Sequence, residues 1–226
     1  ATLNGIRAEH LNITTIEDPV EYEMKGINQG QVDVKAGITF SSALKAIVRQ
    51  DPDVILVGEI RDQETAELAI RAALTGHLVF STLHTNTAAG SISRLLDMGV
   101  EPFLLASTIR GVLGQRLVRL ICQECREQYK PVKKEYDLLD LDPGKIPYFF
   151  RGAGCPSCNN TGYKGRIGIY ELLRMSPGIR DLVLEKAPDT RIQSEAVNSG
   201  MIMMRTDGAR KVVKGLTTFD EVMRVT

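Results

Sequence analysis

The chain has no tryptophan, three histidines, and six each of phenylalanine and tyrosine among its 226 residues. So few rings leave little with which to stack nucleic-acid bases. Lys plus Arg and Asp plus Glu are 28 each, so the formal net charge is zero and no broad basic footprint exists for a phosphate backbone. No nucleic-acid partner is expected. No apolar run approaches the roughly 18 residues needed to cross a bilayer, and no secretory signal opens the chain. An initiator Met is missing too, and residues 1–8 (ATLNGIRA) read as the last turns of a helix already under way, so a fragment is expected.

What is present is a regular alternation. Residues 11–17 are rich in Ile and Thr and read as a strand closed by Asp18-Pro19, and residues 20–38, with Gly26, Gly30 and Gly37, read as a loop or hairpin. Thr39 suits the N-cap of a helix over 40–50, and Asp62 caps a second over 63–74 with Glu64 and Glu67 near its positive end. Further strands are expected over 53–58 and 77–83, and further helices over 88–97 and from Pro102 to about Leu117. Strands separated by helices of about ten residues indicate a parallel α/β sheet. Residues 122–158 are polar and rich in Pro and Gly, 167–172 read as a strand, and the pattern from Pro177 is helical with breaks near Asp189, Gly200 and Gly215.

The run Val54-Ile55-Leu56-Val57 suits a strand buried on both faces, and it stops at Gly58-Glu59. Open α/β sheets bind ligands beyond the carboxyl ends of their strands, which makes Glu59 a candidate catalytic carboxylate. Taken alone, the same residues also fit a plain buried strand with an exposed acidic turn. Glu17 and Asp18 follow the first strand in the same manner, although Asp-Pro is equally a turn starter. His77 and His84 bracket another strand, spaced so that they point to opposite faces and do not share a metal. Four cysteines form two C-x-x-C pairs, Cys122 with Cys125 and Cys155 with Cys158. Four thiolates from two tight turns suit tetrahedral Zn²⁺, while two disulfides, an iron–sulfur cluster or four unrelated thiols stay open.

Longer strings carry a resemblance. Val48-Arg49-Gln50-Asp51-Pro52-Asp53, the apolar run and Gly58-Glu59-Ile60-Arg61-Asp62 resemble the Walker B signature of the type II secretion and type IV pilus assembly ATPases. Ile16 to Glu21 resembles that family's aspartate box, Gly76 to Thr85 its histidine box, and Arg110 to Leu117 a further family-like segment. Gly58 stands where the usual pattern has the first of two acids. The resemblance covers essentially the whole chain, yet Gly-x-x-x-x-Gly-Lys-[Ser/Thr] has no match, so the chain is expected to start just past the P-loop and to bind ATP poorly alone.

The resemblance implies a RecA-like P-loop NTPase core truncated at its amino end (1–118), a tetracysteine zinc-binding element (119–166) and a mainly helical region (167–226). It implies ATP, Mg²⁺ and Zn²⁺ as cofactors. It assigns catalysis to Glu59, Glu17, Asp18 and His84, nucleotide contact to His77, Arg61 and Arg116, and zinc to Cys122, Cys125, Cys155 and Cys158. Secretion and pilus assembly members carry such cysteines, whereas retraction-type relatives lack them. Family members are hexamers at the cytoplasmic face of the bacterial inner membrane, held there by platform and adaptor proteins. The alternative is a zinc-stabilised interaction module without catalysis of its own.

Overall fold

The computed structural model describes residues 2–6, 8 and 10–226. The strands are β1 (Ile13–Glu17), β2 (Asn28–Gln31), β3 (Val54–Val57), β4 (Leu78–Ser81), β5 (Gly111–Ile121), β6 (Arg126–Tyr129), β7 (Phe149–Gly152) and β8 (Tyr163–Arg174). The helices are α1 (Thr2–Ile6), α2 (Phe40–Ile47), α3 (Gln63–Leu74), α4 (Ala88–Asp97), α5 (Pro102–Thr108), α6 (Lys133–Leu139), α7 (Pro177–Leu184), α8 (Asp189–Asn198), α9 (Met204–Val213) and α10 (Phe219–Val225). Of the opening residues expected to be helical, Ala1 and Arg7 lie outside the described residues. Contacts divide the chain into two compact units, Ala1–Arg110 with Met175–Gln193 and Gly111–Arg174 with Ser194–Thr226. The expected boundaries near 118 and 166 therefore fall inside β5 and β8, which pair with each other.

The first unit is the expected α/β structure. Its four strands lie in the order β2-β1-β3-β4 and every pair is parallel. Alternation along β3 explains its composition: Ile55 and Val57 pack with α2 and α3 on one face, and Val54 and Leu56 pack with Leu3, Ile13 and Phe80 on the other. Thr39 and Asp62 cap as their types dictate, Thr39 Oγ1 accepting from Ser42 N–H at 3.1 Å and Asp62 Oδ1 from Thr65 N–H at 2.8 Å. Residues 20–38, expected as a loop or hairpin, form a loop carrying one parallel strand, β2, and an isolated antiparallel bridge between Asp33 and Ile38.

The second unit is built on the antiparallel ribbon β5–β8 and the small antiparallel ribbon β6–β7. Here the expected helix from 102 to 117 is corrected. It ends at Thr108, and residues from Gly111 onward form β5, whose partner β8 lies far along the chain. Around the small ribbon, Tyr136, Leu139 and Phe149 form a core with Ala209, Val212 and Val222. Glu221 lies buried under β5, where its carboxylate accepts from Arg119 N–H (2.8 Å), Arg119 Nη2 (2.9 Å), Arg224 Nε (3.1 Å) and Arg224 Nη2 (2.9 Å).

Candidate active site and cysteine cluster

Strands β1, β3 and β4 end side by side; β1 and β3 carry the acids at their carboxyl ends, and β4 leads to His84. Gly58 N–H donates to Ile16 O at 2.8 Å, so the chain leaving β3 runs tight against β1. A Cβ on Gly58 would stand 3.2 Å from both Glu17 Cα and Ile16 O, and 3.4 Å from Phe40 Cε1. That crowding is a physical reason for glycine where a second acid is usual. Thr82, just past β4, then holds both sides of Glu59: its Oγ1 donates to Gly58 O at 2.6 Å and its carbonyl accepts from Ile60 N–H at 3.1 Å.

The Glu59 side chain is 12% exposed and meets two exposed side chains, Arg61 and His84. Arg61 Nη2 lies 2.5 Å from Oε1, and the same guanidinium reaches Asp18 Oδ2 at 3.7 Å through Nη1. His84 Nε2 is 3.3 Å from Oε2, but out of line for a hydrogen bond, so Oε2 is buried without a hydrogen-bond partner. The Arg61 bond holds the Glu59 carboxyl below its usual range, against the upward push of burial. Arg61 is raised in turn by the same bond. Glu17 Oε1 accepts from Thr15 Oγ1 at 2.6 Å and from Gln29 Nε2 at 3.1 Å.

Five of the residues singled out in the sequence thus gather at one edge: Glu17, Asp18, Glu59, Arg61 and His84. Two do not. His77 precedes β4 at the opposite end of the sheet, where its Nδ1 contacts Ala72 O (2.8 Å) and Thr75 Oγ1 (3.1 Å) and finishes α3. Arg116 lies on β5 in the second unit, in a strand and not at a helix end. Sequence reasoning passed over Thr15, Gln29 and Thr82. The available signal was position alone: polar residues on strands next to acid-ended strands.

The four cysteines, though remote in sequence, come together in the second unit. Their Sγ atoms all lie within 4.8 Å of one another, with separations of 3.8 Å (Cys122–Cys155), 3.9 Å (Cys125–Cys158) and 3.7 Å (Cys155–Cys158). A tetrahedron of thiolates at about 2.3 Å from Zn²⁺ has edges of about 3.8 Å, so the donor set fits that ion. All four are free thiols, which sets the disulfide alternative aside. Backbone N–H groups already point at the sulfurs, Gly154 at Cys125 Sγ (3.3 Å) and Gly162 at Cys158 Sγ (3.2 Å). Glycine is required at the crossing behind them: a Cβ on Gly152 would lie 2.1 Å from Gly162 O, and Gly162 has φ +77.

The chain matches the family described as Type II/IV secretion system protein over residues 1–224. It is 51% identical over 226 residues to the type II secretion system protein E of Pseudomonas aeruginosa and 47% identical to the type II secretion system ATPase E of Vibrio cholerae, covering all of this chain and 45% of each relative. The type IV pilus assembly ATPase PilB of Thermus thermophilus is 49% identical over 223 residues, 98% of this chain and 25% of the relative. The chain therefore spans less than half the length of these relatives. Among solved structures, the pilus retraction motor PilT with bound ADP superposes with a TM-score of 0.70 at 31% identity, over 100% of this chain and 55% of that one. With that match along nearly its whole length, the chain belongs to the Type II/IV secretion system protein family.

Proposed function

We propose that this chain carries the hydrolytic edge of an ATP-driven motor for type II secretion or type IV pilus assembly. One observation supports it most: Glu59 stands at the end of a strand buried on both faces, with one carboxylate oxygen tied to Arg61 and the other unsatisfied. In phosphoryl transfer, positioning and electrostatics do most of the catalysis. Glu59 orients and polarises the attacking water through its free oxygen, beside His84. Glu17 and Asp18 would hold the water shell of a Mg²⁺ ion, which would neutralise phosphate charge there, and Arg61 keeps Asp18 and Glu59 in register. The phosphate cradle Gly-x-x-x-x-Gly-Lys-[Ser/Thr] has no match in this chain, which spans less than half the length of the curated relatives it matches.

Cys122, Cys125, Cys155 and Cys158 would hold one Zn²⁺, whose chemistry there is structural, joining two turns. This cysteine set favours the secretion and assembly branch over the retraction branch. The motor works as a homo-hexamer at the cytoplasmic face of the inner membrane, docked through platform and adaptor proteins. No helix among the described residues is long and apolar enough to cross a membrane.

The test is ATP hydrolysis by the chain extended to the length of its relatives. Glu59→Gln is expected to abolish turnover while ATP binding, read with a fluorescent analogue, stays within a few-fold. Hydrolysis near the wild-type rate would remove Glu59 from the mechanism, whereas no hydrolysis by the extended wild-type chain would favour the interaction-module reading.

A further inference from the structure

The strand beside the aspartate box carries an unusual concentration of side-chain bonds. β2 pairs with β1 in the register Thr15 to Gln29 and Glu17 to Gln31. Gly30 lets the two strands lie close, since a Cβ there would stand 3.3 Å from Thr15 O. Gln29 is thereby brought within reach of the neighbouring acid. Its Nε2 donates to Glu17 Oε1 (3.1 Å) and to Tyr22 O (3.1 Å), and its Oε1 accepts from Met24 N–H at 2.6 Å. A glutamine amide offers two N–H donors and one carbonyl, so its donors are committed to one acid and one loop peptide, and its carbonyl to a second.

The consequence falls on Glu17. Thr15 Oγ1 also donates to Oε1, at 2.6 Å, so that oxygen takes two hydrogen bonds. Oε2 takes none from the described residues, and Glu17 directly precedes Asp18, whose carboxylate faces Arg61, the partner of Glu59. An amide that only stitched β2 to the loop would be served by Tyr22 and Met24. The third bond decides which carboxylate oxygen is left open.

We infer that Gln29 is a positioning residue for the reaction: it holds Glu17 with one oxygen saturated and turns the other to the water or cation beside the phosphate. The inference rests on the ATPase reading above and adds a residue to it.

The experiment uses the chain extended to the length of its relatives, with Mg²⁺ and ATP. Gln29→Met keeps the side-chain length and removes all three bonds. Turnover is expected to fall on the order of 10- to 100-fold with KM for ATP little changed. The double variant Glu17→Gln with Gln29→Met is expected to be no slower than Glu17→Gln alone, because Gln29 acts through that carboxylate. Met24 N–H is expected to exchange faster in Gln29→Met while Val54–Val57 stay protected. If those strand amides lose protection, Gln29→Asn carries the same expectations, since it keeps the amide and draws it back by one methylene. Additive losses in the double variant, or wild-type turnover despite faster exchange at Met24, would overturn the inference. If Glu59→Gln is inactive and Gln29→Met is fully active, only the role of Gln29 falls. If Glu59→Gln still hydrolyses ATP, the reading of the site falls with it.

Discussion

Two carboxylates, one in each unit, are held by arginine and to opposite ends. Glu221 is 2% exposed, and its two oxygens accept four hydrogen bonds from Arg119 and Arg224. Glu59 is 12% exposed, its partners Arg61 and His84 are 61% and 87% exposed, and one of its oxygens is unsatisfied. A structural carboxylate is buried only when every lone pair is answered. A working one keeps an oxygen back for its substrate and tolerates the cost of leaving it unmet. Saturation, more than burial or charge, separates the two.

The comparison breaks most visibly through the metal. Removing Zn²⁺ with a chelator is expected to disorder residues 122–162, because structural zinc contributes on the order of 10 kcal/mol to small domains. Amide exchange at Val54–Val57 in the first unit is expected to stay unchanged. Elemental analysis is expected to find one zinc per chain; a value well below one, with four freely titrating thiols, would contradict the assignment.

Next in size is Glu221→Leu, which strands two arginines beneath β5. Both guanidinium groups are about half exposed and reach water, so the lower end of the buried-pair range applies, about 3 kcal/mol of stability lost by denaturant unfolding. The same change leaves hydrolysis by the folded protein intact.

Acid pH offers a milder version. Burial pushes Glu221 upward, but the bonds from Arg224 and Arg119 outweigh it and hold it at about 2, against an ordinary 4.5. A carboxylate depressed in the folded state stabilises above its ordinary value and loses that contribution as pH falls through its folded value. The second unit is therefore expected to weaken between about pH 4.5 and about pH 2, by about 3 kcal/mol in all, and Glu221→Leu to flatten that slope. An unchanged slope would count against the arginine bonds as its source.

The smallest effect sharpens the other side. Arg61→Gln removes the bond that chiefly depresses Glu59 and leaves burial in place, so the Glu59 carboxyl is expected to titrate higher in a ¹³C NMR experiment. A carboxyl that does not move would mean that Arg61 is a bystander.

Much of the first unit was legible in the chain because its signals are local. Caps at Thr39 and Asp62, the apolar run of β3 and the acid after it all lie within a few residues of what they control. The C-terminal helices, broken near Asp189, Gly200 and Gly215, follow from the same kind of punctuation. β5 was not legible. Its Leu113, Leu117 and Val118 fit a helical spacing, its buried alternation is interrupted by Gly114 and Arg116, and the deciding partner is β8, some fifty residues on. Glu221 was hidden for the same reason, its clamp Arg119 standing 102 positions away. At the edge of the sheet the acids could be read from their place after strands. That His77 closes a helix and Arg116 runs along a ribbon could not be read from their residue types.

The crossing of Gly152 and Gly162 has a mechanical meaning. Most chain crossings are cushioned by side chains, which rotate and absorb small displacements. Here two backbones touch with nothing between them, one on β7 and the other four residues past Cys158. Such a joint has little slack, so a pull along the β6–β7 ribbon reaches Cys155 and Cys158 almost undamped, and stiffness imposed at the sulfurs runs back into the ribbon. The cysteine cluster and the ribbon then act as one solid piece, able to transmit force instead of dissipating it.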